Sequence, residues 1–339
     1  MRIEEHFPLE NHNTFRLPVK ARWFIEYDNE DELLRILRDE YFRECDSIHI
    51  GSGSNLLFLN DYNGIILHST IKGVNIEEET DQAVILRIGA AEIWDDIAAF
   101  AISRGWYGAE NLSGIPGECG AAAVQNIGAY GVELKDIIQS VEACDRNTCE
   151  KHIFSREDCR YSYRYSRFKD ESATPYIITH IRIRLSKSPA FTLHYSGLME
   201  QIVARHPGII LPGVRETILS IRKEKLPDPA QYGNAGSFFM NPVITVLHFE
   251  ALKAAYPNIP SFPADGDMVK KVPAGWLIEQ CGFRGASKGG AGVYHKQALI
   301  LVNLGNASGQ DIALLAEDIR TAVYKRFSIT LTPEVRYIG

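Results

Sequence analysis

The chain lacks what would mark a membrane-spanning, secreted or fibrous protein. No apolar run approaches the roughly 18–20 residues of a membrane span. The opening MRIEEHFPLE has no apolar stretch of the kind a signal peptide needs. Six cysteines among 339 residues are too few for a disulfide scaffold. Cys144 and Cys149 stand without a second pair at zinc spacing, and the ten histidines form no HxxxH-type cluster, so no metal is expected. Positive charge is also short: 36 Lys and Arg against 43 Asp and Glu leave −7, which argues against a general nucleic-acid binder. Internal repeats and low-complexity tracts are missing, which removes solenoids and propellers. What remains is an ordinary globular composition, 45% hydrophobic and 23% charged, in a chain long enough for two or three domains. The expectation is a cytoplasmic, multi-domain protein with no membrane partner.

Helical and strand patterns alternate along the chain, which predicts mixed α+β domains. Residues 31–39 and 93–105 read as amphipathic helices, and residues 46–50, 64–69, 83–88 and 56–59 as short strands. Ile177, Thr179, Ile181, Ile183 and Leu185 alternate with polar residues, which predicts a half-buried strand. A helix over 216–225 must stop at Leu226-Pro227-Asp228-Pro229, the clearest boundary in the chain. Beyond it, helices are expected over 243–256 and 273–280 and a strand over 298–302. The stripe Ile312, Leu315, Ile319, Val323 predicts a long helix capped near Ser308, followed by an extended C-terminus.

Five segments carry possible chemistry. Gly51-Ser52-Gly53-Ser54-Asn55 follows a strand, and its bare backbone N–H groups suit phosphate oxygens as well as a plain tight turn. It is not a Rossmann fingerprint, because no third glycine opens a helix. SGIPGECGAAAVQNIGAYG, residues 113–131, has the glycines and alanines that let backbone lie close to a large ligand, or that let helices pack tightly. Its Gln125-Asn126 amides favour the ligand. Two such segments together suggest one diphosphate-bearing cofactor. CRYSYRYSRFK, residues 159–169, interleaves Tyr161, Tyr163 and Tyr165 with cations; RNA binding is weighed, and a single arginine for a carboxylate or phosphate is the more economical reading. NAGSFFMNP, residues 234–242, holds Ser237 outside any Gly-x-Ser-x-Gly elbow. Finally, Glu334 and Arg336 share one strand face, where a surface salt bridge is the plain alternative.

In this order, with NTFRLPVKA, KLPDP, AGWLIEQCG and LTPEVRYIG, these segments resemble the UDP-N-acetylenolpyruvoylglucosamine reductases, also called UDP-N-acetylmuramate dehydrogenases, from about Asn13 to Gly339. The blocks QNIGAYG, YR and GNAGSFF-x-NP are the specific ones, whereas GSGSN is shared with the wider vanillyl-alcohol-oxidase-like flavoproteins. LHYSGL with Tyr195 resembles the tyrosine loop of the type I subclass. The resemblance implies non-covalent FAD with NADPH as hydride donor, and reduction of an enolpyruvyl UDP-sugar in peptidoglycan precursor synthesis. It implies an FAD-binding subdomain over 1–75 completed by 328–339, a second over 76–226 with the loop at 186–212, and a substrate-binding domain over 229–327.

By the same resemblance, Arg164, Ser237 and Glu334 are catalytic. Arg164 and Glu334 bind and polarise the substrate carboxylate, and Ser237 is the general acid. Tyr163, Tyr195, Lys225, Asn241 and Gln297 match substrate-contacting positions. FAD is expected on Gly51, Ser52, Gly53, Ser54 and Asn55, and on Ile115, Pro116, Gly117, Gly120, Ala121, Gln125, Asn126, Ile127 and Gly128, with Arg222 and Arg336 nearby. Phe262 departs from the pattern, standing where relatives carry tyrosine near the substrate diphosphate. A monomer without a nucleic-acid partner is expected. Two rival readings are another FAD oxidoreductase on this scaffold and a non-enzymatic RNA-binding protein.

Overall fold

Two sheets organise the first of two units into which the chain divides. The computed structural model describes residues 1–169, 175–195, 197–264 and 266–339. The first unit comprises residues 1–7, 21–52 and 63–224; the second comprises 8–20, 53–62 and 225–339. Ser196, in the expected tyrosine loop, lies outside the described residues.

In the first unit, one sheet runs Arg2–Pro8, Lys20–Tyr27, Tyr62–Ser69, Ser47–Ile50, the last two strands parallel. The helix Glu30–Arg38 starts where the Asn29 side chain accepts from Glu32 N–H, and it buries Leu33, Ile36 and Leu37 at the expected spacing. A five-stranded antiparallel sheet carries the order Lys151–Ser155, Ile138–Asp145, Tyr176–Ser186, Ala83–Gly89, Val74–Glu79. Its central strand alternates as expected: Ile181, Ile183 and Leu185 are fully buried, while Arg182 and Arg184 take the other face. The helix Trp94–Ser103 packs in the same core, where Trp94 Nε1–H donates to Leu112 C=O at 3.0 Å.

The expected helix ending at Lys225 begins earlier, at Leu211, because Pro212 fits the first turn, where its missing N–H costs nothing. The chain leaves the first unit between Glu224 and Lys225, just before the double proline.

The second unit is built on the helix Gly309–Phe327. Ser308 and Asp311 form a reciprocal capping box at its start, and Ile312, Leu315, Ile319 and Val323 are buried. It packs with a sheet ordered Gly233–Ser237, Ile300–Asn303, Ala291–Val293, Ser287–Lys288. The C-terminal strand Arg336–Ile338 pairs in parallel with Leu56–Phe58.

One expectation is corrected. Residues 243–256 are not one helix: Val243–Thr245 is a strand paired with Val269–Lys271, and the helix is Val246–Ala255. Val-Ile-Thr is a β-branched run that favours strand, and Thr245 then caps the helix by accepting from His248 N–H.

Candidate functional site

In the first unit the glycine-rich segment 113–131 folds back on itself. Residues Cys119–Gln125 form a short helix whose last cap, Asn126, is left-handed at φ 46° and buried. Asparagine tolerates that conformation because its side chain bonds locally. Both amide hydrogens of Asn126 are used, to Glu133 Oε2 at 3.0 Å and Ser162 C=O at 2.9 Å, while its Oδ1 accepts from Lys135 N–H. Asn126 therefore ties the segment to the turn that carries Arg164. Residues 162–165 form that tight turn rather than an open aromatic strip, with Arg164 left-handed at φ 55°.

The Arg164 guanidinium donates to Gly128 C=O at 2.7 Å and Asn126 C=O at 3.4 Å, and Glu133 lies 3.8 Å away. A Cβ on residue 128 would come within 2.7 Å of Arg164 Nη1, so any larger residue there would push the guanidinium aside. Tyr163 lies over the same guanidinium at 5.3 Å. Tyr195 meets Tyr130 edge-on, with centroids 5.4 Å apart, and Asn111 anchors that loop by donating to the carbonyls of Tyr130 and Thr192. Arg222 donates to Gly114 C=O at 3.1 Å; its burial lowers its pKa below the ordinary arginine value. Gly114 N–H donates to Asp95, which Arg215 grips with two bonds.

Two polar atoms on this segment are spare. Ser113 Oγ and Gln125 Oε1 are buried with no hydrogen-bond partner among the described residues. Buried polar atoms are rarely left so unless a ligand or water completes them. The segment thus fits a large polar cofactor: close backbone, small side chains, a half-buried arginine and unused polar atoms. Asn126, by contrast, spends its side-chain donors on the protein.

Gly51 and Ser52 belong to the first unit, and Gly53, Ser54 and Asn55 to the second. Gly53 has φ 70°, and a Cβ there would stand 2.1 Å from His12 C=O, so no other residue fits.

In the second unit, backbone pairing brings three distant segments together. Glu334 N–H donates to Phe238 C=O at 2.9 Å, and Phe239 bridges to Pro333. Asn55 Nδ2–H donates to Glu334 C=O at 3.0 Å, and Arg336 N–H donates to Asn55 C=O. Ser237 is exposed beside the fully buried Phe238, on a strand whose register against Ile300–Asn303 shifts between Asn234 and Ser237. Gly236, left-handed at φ 68°, makes that irregularity affordable in strain. Asn241 accepts from Ala274 N–H, and Gln297 Oε1 lies 3.0 Å from where a Cβ on Gly275 would stand. Lys225 is exposed at the unit's start. Ser237, Glu334, Arg336 and Asn55, separated by up to 281 positions, thus share one neighbourhood.

Sequence reasoning passed over Glu118, His68 and Glu26, which form a charged row beside Gly51. The signal available was a lone carboxylate among the small residues of IPGECGAAA. Among the described residues Glu30, Glu142 and His180 also cluster at metal-like spacing, but Arg87, Arg182 and Lys151 already neutralise them.

Comparison with known proteins gives one answer. Residues 228–338 match the C-terminal domain of UDP-N-acetylenolpyruvoylglucosamine reductase, and residues 21–149 match an FAD binding domain. The chain is 46% identical over 338 residues to the UDP-N-acetylenolpyruvoylglucosamine reductase of Porphyromonas gingivalis, covering 100% of both chains. It is 47% identical over 336 residues to that of Bacteroides fragilis, covering 99% of this chain and 100% of the relative. The crystal structure of the Thermus caldophilus enzyme superposes with a TM-score of 0.70 at 22% identity, over 100% of both chains, which shows a common fold. No helix among the described residues is long and apolar enough to cross a membrane.

Proposed function

The chain belongs to the UDP-N-acetylenolpyruvoylglucosamine reductase family, and from that premise we propose how its own residues divide the work. It is an FAD-dependent oxidoreductase that uses NADPH to reduce the enolpyruvyl ether of UDP-N-acetylglucosamine to UDP-N-acetylmuramate, in peptidoglycan precursor synthesis. FAD, held by the glycine-rich segments, would supply the hydride-transfer chemistry between NADPH and the substrate.

Hydride arrival at one vinyl carbon builds negative charge on the other carbon and its carboxylate. Arg164 and Glu334 hold and polarise that carboxylate, Glu334 as the protonated acid or sharing its proton so that it does not repel. Ser237 gives its hydroxyl proton to the second carbon as general acid, which is feasible because an enolate is a strong base. Tyr163, Tyr195, Lys225, Asn241 and Gln297 bind the substrate and its uridine diphosphate. The glycine-rich segments, with Arg222 and Arg336, hold FAD without a covalent bond. The same reading has three functional parts, divided near residues 75 and 226–229, and a monomer acting in the cytoplasm without a nucleic-acid partner.

The observation that supports the reading is the Glu334 N–H to Phe238 C=O bond, which brings Glu334 beside the residue that follows Ser237. The test is direct. The purified protein is yellow, releases intact FAD on denaturation, and turns over NADPH with the enolpyruvyl UDP-sugar as hydride acceptor. A colourless protein that takes up no added FAD overturns it.

A further inference from the structure

A row of alternating charge crosses the first sheet of the first unit and ends at the Gly51 turn. Arg2 pairs with Glu26 at 3.1 Å, Glu26 Oε1 with His68 Nδ1 at 3.0 Å, and His68 Nε2 with Glu118 Oε1 at 3.6 Å. His68 stands opposite Ile50, the residue before Gly51, in the parallel pair of strands. Burial alone would lower the His68 pKa, but Glu118 and Glu26 outweigh it and raise it above the ordinary value. The imidazolium is therefore favoured between its two carboxylates.

The far end of the row is unusual. The Glu118 side chain is nine-tenths buried, with only 10% of its surface exposed. Among the described residues its carboxylate meets one donor, His68, at a distance longer than a normal hydrogen bond. Its other oxygen, Oε2, is aimed at the turn, 2.8 Å from where a Cβ on Gly51 would stand. A carboxylate accepts up to four hydrogen bonds, so Glu118 keeps acceptor capacity toward the turn. A diphosphate would be repelled there, so a ligand group that meets it is a hydrogen-bond donor.

We propose that Glu118 is a cofactor-recognition residue whose carboxylate accepts a hydrogen bond from a hydroxyl or amino group of FAD, and that His68, fixed by Glu26, is its positioning residue. The inference rests on FAD binding by this chain. The donor lies either on the adenosine half or on the ribityl half of FAD, and fragments separate the two.

The test measures FAD affinity of the apoprotein by quenching of flavin fluorescence, with the melting temperature as a check on folding. Glu118→Gln keeps the shape and removes the charge; it should weaken FAD by about tenfold to a hundredfold, the range for a lost charge-assisted hydrogen bond. Glu118→Ala, which removes the acceptor, should weaken it at least as much. The loss should reappear with ADP if the donor is on the adenosine half, or with FMN if it is on the ribityl half. His68→Gln should weaken FAD, and with Glu118→Gln already present it should add little, because a positioning residue acts through the group it positions. FAD binding by Glu118→Gln as tight as, or tighter than, that of the unchanged protein overturns the proposal. Full additivity of the two substitutions overturns the positioning role. Failure of the unchanged protein to bind FAD would instead overturn the functional reading beneath it.

Discussion

The two units hold their functional groups by different means. In the first, Arg164 is fixed through its own side chain, by the carbonyls of Gly128 and Asn126, in a left-handed backbone that Asn126 locks from below. Charge is laid across its sheets as well, in the Arg87–Glu142–Arg182 cluster and the row ending at Glu118. In the second, Ser237 is exposed and Glu334 half-buried, and what positions them is backbone: the Phe238–Glu334 and Asn55–Glu334 bonds over an apolar core of Phe15, Phe238, Phe239 and the 309–327 helix. A cation that grips a carboxylate, as proposed for Arg164, gains from a rigid, oriented fork. A hydroxyl that transfers a proton needs only the right place. Substitutions at Arg164 should therefore cost both stability and chemistry, those in the charged clusters of the first unit stability, and those at exposed positions in the second chemistry alone.

Ser237→Ala tests that contrast most sharply. Reduction of the flavin by NADPH should stay near normal, while its reoxidation by the enolpyruvyl substrate slows by about 10²–10⁴, the usual worth of a general acid. Stopped-flow measurement of each half-reaction separates them, and the melting temperature should not move. Equal damage to both half-reactions would mean that Ser237 supports structure.

Glu142→Gln should show the reverse, a loss of stability without a specific loss of chemistry. Burial alone would raise the Glu142 pKa, but hydrogen bonds from Arg87 and His180 and the charge of Arg182 hold the carboxyl far below the ordinary range. The native pKa is depressed, so this stabilisation is present above the unfolded carboxyl value of about 4.3 and is lost as pH falls below it. Removing the charge leaves Arg87 and Arg182 with Glu77 as their shared carboxylate partner and should cost about 1–3 kcal/mol at pH 7, because the cluster is partly open to solvent. Denaturant titrations should show that the gap between the two proteins narrows below pH 4.

Arg164→Lys should combine both effects. Lysine cannot make the two-pronged contact, and it gives up the bond to Gly128 C=O. Reoxidation by substrate should fall by about tenfold to a hundredfold, with a lower melting temperature. Glu334→Gln should impair the same half-reaction while leaving stability alone, because backbone bonds hold that residue.

The smallest effect is expected at Phe262. Its backbone is pinned to Lys271 by bonds of 2.8 and 3.1 Å, and 37% of its surface is exposed, so a phenol fits without rearrangement. Phe262→Tyr should lower the substrate KM by up to about tenfold through one added hydrogen bond to the diphosphate, and leave the hydride step alone. An unchanged KM would show that the ring does not face the diphosphate.

Much of this was legible in the residues because the signals act over a few neighbours. The stripe Ile312, Leu315, Ile319, Val323 with Ser308 before it specifies a capped helix, since period and cap are properties of one stretch of chain. The double proline after Lys225 marks the passage to the second unit for the same reason. The strand at Val243–Thr245 was hidden because three residues are too few for a period, and its partner at 269–271 supplies the bonds that decide it. The glycine-rich segment could be marked as a ligand site from composition, yet composition could not separate Gln125, with its spare oxygen, from Asn126, whose donors are spent on Glu133 and Ser162.

The sequence by itself determined the mixed α+β class and a diphosphate-bearing cofactor, which follow from local pattern and side-chain chemistry, and through the resemblance of its motifs it gave the family and FAD. Only the tertiary structure decided which residues meet. That Glu334 lies beside Phe238 and Asn55, that Arg164 covers Gly128, and that Glu118 ends a charged row begun at Arg2 all depend on contacts between distant segments. In the charged row, register is set by burial of whole faces, and a slip of one residue in either strand would turn Glu26 or His68 to the opposite side.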